Sequence, residues 1–331
     1  MPQPTIAVIG AGQWGKNLIR NLYELGALHT ICTRDKATLN ALLEHYQGVA
    51  GAASINHVVR NEDITAVCIA TPAHTHCEIA QTAIEAGKDV FVEKPLCLSV
   101  EDGQKLVELA HRNDRILMVG HQLWYHPAVI KLQEMISNGE LGNLIYLSSN
   151  RLNFGRFRHH ENVLWSFAPH DISMILGLVG EMPVSIQAHG CAHTHSSDID
   201  TATLLLDFPG GAKAHVHVSR IHPGKEQRLT VTGEKQTVIF DDMAPWPTKL
   251  TGYPYTVNNA GGPINGDLQR PYSISLESRE PLKTECEHFL HCIKTRSRPK
   301  TDGTEGLRVI RVLMLAWANI NKMSGYPTRC R

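Results

Sequence analysis

The sequence has no surplus of charge of either sign, no cysteines paired at short spacing, no unbroken apolar run of membrane-spanning length and no internal repeat. Each absence removes a class of function. Its 32 basic and 32 acidic residues cancel, so no global field draws the chain onto nucleic acid or an anionic membrane, and an anionic ligand must be met by a local cluster. The eight cysteines (Cys32, Cys68, Cys77, Cys97, Cys191, Cys286, Cys292, Cys330) contain no CxxC pair, which predicts buried thiols of a reducing compartment. Arg311 interrupts the late apolar stretch Val309–Trp317, and Met1–Pro4 run into the apolar Ile6–Ile9 with no basic leader. The expectation is a cytoplasmic protein. Three His-x-His pairs, at His74 and His76, His193 and His195, and His215 and His217, have no third ligand at suitable spacing, so no metal site is expected.

What is present is globular. A length of 331 residues exceeds one ordinary core and predicts two domains. From residue 5 to about 120, short β-branched runs alternate with helical stretches, the βαβαβ rhythm of a parallel sheet covered on both faces. Strands are expected at Thr5–Ile9, His29–Cys32, Ala66–Ala70, Asp89–Glu93 and Ile116–Gly120. Trp14, Leu18, Leu22 and Leu25 fall at helical spacing, and Gly26 follows as a left-handed stop. A second helix is expected over Thr75–Gly87, and Ser99-Val-Glu-Asp102 opens a third with a capping pattern. This defines an α/β Rossmann domain over residues 1–121.

Past residue 121 the rhythm changes. One helix near Pro127–Asn138 precedes the alternating runs Leu144–Leu152, Val184–His193, Ala202–Phe208, Ala212–Arg220 and Gln227–Thr232. Successive strands without intervening helices predict an α+β domain with a large, mainly antiparallel open sheet over residues 122–331. Residues 243–282, rich in proline and glycine, read as a long loop. A final helix, about 305–323, is expected to pack back on the first domain. Apolar alternation through Ala202–Arg220 predicts a sheet face that needs covering, and hence a homodimer or homotetramer.

Gly10-Ala-Gly12-Gln13-Trp14-Gly15 stands directly after a strand and directly before a helix. Gly10 permits the tight turn, Gly12 lets backbone approach a pyrophosphate, and Gly15 lets helix and strand pack closely, with the helix N-terminus facing the phosphates. The second strand ends in Thr33, Arg34 and Asp35 rather than in a lone acid. Arg34 suits a ribose phosphate and Thr33 a free hydroxyl, which leaves NAD and NADP both open. Ala70-Thr71-Pro72, followed by His74 and His76, leaves the next strand at the ligand-binding edge, and Glu93-Lys94-Pro95 leaves the one after. A lysine at such a crevice, stiffened by the following proline, is a candidate for active-site duty. Gln122, Tyr125 and His126 lie just past the last Rossmann strand and are substrate contacts by location.

These motifs, with a later His170-Asp171 pair, resemble the Gfo/Idh/MocA oxidoreductases (glucose–fructose oxidoreductase, inositol dehydrogenase and relatives) over essentially the whole chain. The resemblance implies a nicotinamide cofactor, a cis Lys94–Pro95 bond, and Lys94 and His170 flanking the reacting sugar carbon. The family often has an aspartate four residues before the histidine, whereas this chain has Ser166, so that role does not carry over. Asn150–Arg158, Asn162–Asp171, Glu285–Phe289 and Thr301–Gly306 further resemble the branch that oxidises the 3-hydroxyl of UDP-N-acetylglucosamine, or of its uronate, before a partner transaminase aminates the 3-keto product in lipid A or O-antigen pathways. Within these segments Trp165 is implied as a cofactor contact, and Arg151, Asn153, Arg156, Arg158, Asn162, His170 and Asp171 as substrate contacts. Three arginines (Arg151, Arg156, Arg158) against Glu161 give the local positive surplus that a pyrophosphate requires. A free uronate would need a further cation, which favours the neutral sugar.

Oxidation of a hydroxyl needs a base and a hydride acceptor. With reference pKa values of about 6.5 for imidazole and about 10.4 for lysine, His170 is nearer the ideal base and Lys94 would stabilise the alkoxide. A positive nicotinamide ring would depress the lysine, so Lys94 as base stays open. Within the fold, one branch hydrolyses glycosides through transient NAD-dependent oxidation and another is a non-catalytic transcriptional regulator. The presence of both Lys94 and His170 argues against the regulator.

Overall fold

The computed structural model describes residues 3–155, 162–193, 198–258 and 265–323. They form two compact units, one from the residues up to Tyr125 with Glu280–Ile310, the other from His126–Arg279 with the helix from Arg311 onward.

The first unit opens with β1 (Ile6–Ile9), α1 (Gln13–Glu24), β2 (Leu28–Cys32), α2 (Lys36–His45), β3 (Ala50–Ala52) and α3 (Ile55–Arg60). It continues with β4 (Ala66–Ile69), α4 (His76–Glu85), β5 (Asp89–Glu93), α5 (Val100–Arg112) and β6 (Leu117–Gly120). The six strands pair in the order β3-β2-β1-β4-β5-β6, all parallel. Burial on both faces explains why β1 and β4 are apolar throughout and β5 is apolar between Asp89 and Glu93. The order reverses between β1 and β4, so the crevice for a ligand opens beyond the carboxyl ends of these two strands. Strand β3 escapes sequence reading because Ala-Gly-Ala carries no β propensity and is placed only by pairing with β2.

The second unit contains α6 (Pro127–Ser137), β7 (Leu144–Phe154), α7 (Val163–Val179), β8 (Ser185–Cys191), β9 (Thr201–Asp207), β10 (Lys213–Ser219) and β11 (Ile221–Gly233). The remaining strands are β12 (Gln236–Asp241), β13 (Leu250–Asn258), β14 (Asn265–Leu268) and β15 (Tyr272–Ser273). Eight strands run β14-β13-β12-β11-β7-β10-β9-β8, with β15 on β13, and all pairs are antiparallel except β10 with β7. Two expectations need correction here. Residues 243–282 are not one long loop, since β13, β14 and β15 extend the sheet there. The apolar alternation of Ala202, Leu204, Leu206, Ala214, Val216 and Val218 is buried, and α7 packs against β7, β9 and β10. The opposite face carries Thr203, His215, His217 and Lys213, and Tyr146, Phe154 and Leu205 are among its large exposed apolar groups.

The chain then forms α8 (Pro281–Thr295) and α9 (Gly303–Met323). Chain order puts both after the second sheet, yet Glu280–Ile310 belongs to the first unit. The reason is packing: Leu282, Cys286, Phe289 and Leu290 of α8 join the core formed by Leu18, Leu22, Phe91 and Met118, and the Phe289 ring meets Phe91 edge-on at 5.7 Å. Helix α9 gives only its first turns, to Ile310, to that unit. Of the cysteines, Cys32, Cys68, Cys77, Cys97, Cys286 and Cys292 are free thiols, and Cys330 lies outside the described residues. Cys191 is disulfide-bonded, which departs from the expectation of thiols throughout.

One buried group works against this core. Glu285 on α8 is fully buried, and neither carboxyl oxygen has a hydrogen-bond partner among the described residues. Desolvation, and after it the nearby Glu93, push its carboxyl well above the usual 4.5. A carboxyl raised in the folded state contributes its stability below the unfolded pKa, and that contribution declines as pH rises toward the folded value, by about 1.4 kcal/mol per unit. E285Q should therefore flatten the fall in unfolding free energy between about pH 5 and pH 8 in denaturant titrations. An unchanged slope would show that Glu285 is already ionised in the native protein.

Candidate active site

The glycine turn is built as its spacing requires. Gly10 has φ of +97°, and a Cβ there would come 2.6 Å from the carbonyl oxygen of Ala70. A Cβ on Gly15 would sit 2.0 Å from the carbonyl oxygen of Gly10, so α1 can approach β1 only with glycine at this position. Gly12, the N-cap of α1, faces open space, with nothing within 4 Å of where its Cβ would stand. The turn is thus closed on its protein side and open on its outer side, where the first N–H groups of α1 lack intrahelical acceptors. Gln13 and Trp14 are exposed at the same edge. A dinucleotide diphosphate fits this cradle.

After β2, Asp35 caps α2: one carboxylate oxygen accepts from the backbone N–H of Ala37 at 3.0 Å and the other from the Thr38 hydroxyl at 2.6 Å. Arg34 is exposed and Thr33 half-buried beside it. After β4, Ala70, Thr71 and Pro72 lead into a 3-10 turn, Ala73–Thr75, that leaves His74 exposed. His76 is different. Its ring is buried, with both nitrogens on backbone carbonyls, Pro95 and Thr71. The contacts of its ring are thus to the protein's own backbone.

The loop after β5 carries the reactive candidates. The Lys94–Pro95 peptide is cis. Lys94 is half-buried, and Glu93 before it is buried and accepts a hydrogen bond from the Trp14 indole N–H. Burial pushes the Glu93 carboxyl up to about 7, against the lowering pull of the Trp14 hydrogen bond and of Lys94. Glu93 packs closely over Gly120, where a Cβ would stand 3.1 Å from the carboxylate.

Sequence reading passed over His121, the residue directly after β6. It is 2% exposed, and neither ring nitrogen has a partner among the described residues. Burial first, then the charge of Lys94, hold it neutral with a pKa of about 3. Its signal was its position: β5 and β6 pair Glu93 with Gly120, so the residues that follow leave the sheet side by side. Gln122 is half-buried on the ensuing 3-10 turn. Tyr125 is buried. Its hydroxyl meets Thr301 Oγ1 at 3.1 Å and its ring packs on His288 inside the first unit.

In the second unit, α7 presents His170 directly after Pro169, within the helix. Asp171 next to it is 1% exposed and takes Ser149 Oγ at 2.7 Å and Arg151 Nε at 2.7 Å, with a second Arg151 nitrogen at 3.2 Å. Arg151 and Asp171 therefore form a partly buried forked pair that ties α7 to β7. Asn162 is likewise spent, because its side-chain oxygen caps α7 by accepting from the N–H of Trp165 at 3.2 Å. His126 caps α6 through Nδ1 at 3.0 Å and stacks on Trp246. Asn153 keeps a buried carbonyl oxygen with no partner among the described residues, and Trp165 is half-buried. Arg156, Arg158 and Glu161 lie outside the described residues.

Comparison with known proteins agrees with this edge. A family model described as the oxidoreductase family with an NAD-binding Rossmann fold matches residues 5–121, and the GFO/IDH/MocA C-terminal domain matches residues 129–239. The UDP-N-acetylglucosamine 3-dehydrogenase of Acidithiobacillus ferrooxidans is 28% identical over 253 residues, covering 75% of this chain and 76% of that one. The scyllo-inositol 2-dehydrogenase (NAD(+)) of Bacillus subtilis is 26% identical over 326 residues, covering 93% and 92%. The solved structure of the Acidithiobacillus ferrooxidans enzyme superposes with a TM-score of 0.86 at 23% identity, covering 98% of this chain and 100% of that one; this likeness speaks to fold alone. With a diphosphate cradle, a cis lysyl–proline turn and both family models matched in order along the chain, the chain belongs to the Gfo/Idh/MocA family of NAD(P)-dependent oxidoreductases.

Proposed function

We propose that the protein oxidises a secondary hydroxyl of a nucleotide-linked sugar, with C3 of UDP-N-acetylglucosamine as the best match, to the 3-keto sugar that a transaminase then consumes. The observation that carries a CH–OH oxidation is the half-buried Lys94 at the carboxyl edge of β5, beside a neutral His121 and a buried Glu93. The choice of sugar rests on likeness to the Acidithiobacillus enzyme and on the motifs around Asn150–Arg158 and Asn162–Asp171.

When bound, the nicotinamide supplies the hydride acceptor. Gly10, Gly12 and Gly15 with the N–H groups opening α1 hold the diphosphate, and Thr33 and Arg34 meet the adenine ribose or its phosphate. The Nζ of Lys94 orients the substrate hydroxyl and stabilises the developing alkoxide, and the imidazole of His170 takes the proton. Among the described residues no helix is long and apolar enough to cross a membrane, and we place the enzyme in the cytoplasm. Its assembly is a homodimer or homotetramer through the sheet face that carries Tyr146 and Leu205.

Three measurements test this. In an absorbance assay at the reduced-nicotinamide band, each of a panel of UDP-sugars, free sugars and myo-inositol is tried with NAD and with NADP; UDP-N-acetylglucosamine should give the highest kcat/KM, and a preference for inositol would overturn the substrate. K94A should lower kcat by about 10²–10⁴-fold while cofactor affinity is kept, whereas near-normal turnover would remove Lys94 from the chemistry. Sedimentation at micromolar concentration should show a dimer or tetramer; monomer alone would sink the assembly.

A further inference from the structure

His76 opens α4 and is 1% exposed. Its Nδ1 lies 2.8 Å from the carbonyl oxygen of Pro95, and its Nε2 lies 2.8 Å from the carbonyl oxygen of Thr71. A carbonyl oxygen can only accept. A neutral imidazole offers one N–H and one lone pair, so in either tautomer one of these contacts would set lone pair against lone pair, in a place with little access to water. Turning the ring about its Cβ–Cγ bond offers no escape, because it replaces both nitrogens by carbons. Only the doubly protonated ring donates to both oxygens.

We infer that His76 is held as an imidazolium and is a positioning residue: it bridges the loop after β4 to the loop after β5 and so fixes the backbone that presents Lys94. This rests on the reading of Lys94 as the group that meets the substrate hydroxyl. Next to His76 the side chains of Cys77 on α4 and Cys97 after β5 also meet through a hydrogen bond. On one side the turn is already closed on itself, with the Thr75 hydroxyl bonded to Thr71 Oγ1 and to the Pro72 carbonyl, each at 2.7 Å. On the other side Pro95 has no N–H with which to anchor itself, and its carbonyl is what His76 takes. Charge-assisted bonds are roughly twice as strong as neutral ones, so two of them oppose the cost of burying the cation. The titratable groups on the adjoining segments are Cys77 and Glu78 on α4, Lys94 and Cys97 after β5, and Asp102 on α5, whose main-chain oxygen is 4.0 Å from the Cys77 sulfur.

The test uses the full chain labelled with ¹⁵N-histidine and long-range ¹H–¹⁵N correlation spectra. At pH 8, well above the reference histidine pKa of about 6.5, one ring should still show both nitrogens protonated, and H76Q should lose that signal. A neutral-tautomer pattern for His76 at pH 8 overturns the proposal. Should H76Q fail to fold, through-space contacts of the ring to Pro95 and Thr71 assign the signal in the unaltered protein. In kinetics, H76Q should lower kcat by about 10–100-fold while the cofactor dissociation constant stays within about threefold; an unchanged kcat would show that the bridge does not position Lys94. If the unaltered protein turned over no substrate, the reading of Lys94 would fail, and the spectra would still decide the charge on His76.

Discussion

The parallel pairing of six strands is the constraint on which the functional edge depends. Parallel strands all finish on one side of the sheet, so the loops after β1, β2, β4, β5 and β6 are delivered to the same edge whatever their sequences. What those sequences decide is how closely the loops approach one another. The glycine turn shows the limit: Gly10 and Gly15 bring α1 against the ends of β1 and β4 at separations that no Cβ tolerates. Pairing of Glu93 with Gly120 then sets Lys94 beside His121 without any specific contact being required to do so.

Burial, more than charge pairing, sets the electrostatics at that edge. Desolvation is the first cause of the raised Glu93 carboxyl, the raised Glu285 carboxyl and the lowered His121 imidazole. In each case the neutral form is favoured. With Glu93 at about 7, the carboxyl that precedes Lys94 is not a full-time anion at neutral pH.

The Rossmann half was legible because its signals are local. Glycine spacing, strand-end lysine and apolar runs are read within a few residues, and five strands fall where those runs lie. What stayed hidden depends on distant partners. Strand β3 exists because β2 pairs with it, and α8 belongs to the first unit because Phe289 reaches Phe91, almost two hundred residues earlier in the chain. The candidate site divides in the same way. A motif fixes which residue types are present but not where each side chain points, so Tyr125, Arg151, Asn162 and Asp171, all polar and all in motif segments, proved to be spent on Thr301, on each other and on a helix cap. His121 was hidden for the converse reason: nothing in its local sequence announces that the chain leaves β6 beside Lys94.

The same division of labour bears on the cofactor. An acid after the second strand is the usual partner of a ribose diol, and Asp35 stands close to that place. Yet both of its oxygens are committed to the first turn of α2, to Ala37 and Thr38, and hydrogen bonds from Thr38 and from the helix backbone hold the carboxylate below its ordinary pKa. Redirecting it to a ribose would leave the N–H of Ala37 without its cap, at a cost of about 1 kcal/mol. Asp35 therefore serves the helix, and in the proposed enzyme the contact with a ribose hydroxyl or phosphate falls to the hydroxyl of Thr33 and the exposed guanidinium of Arg34.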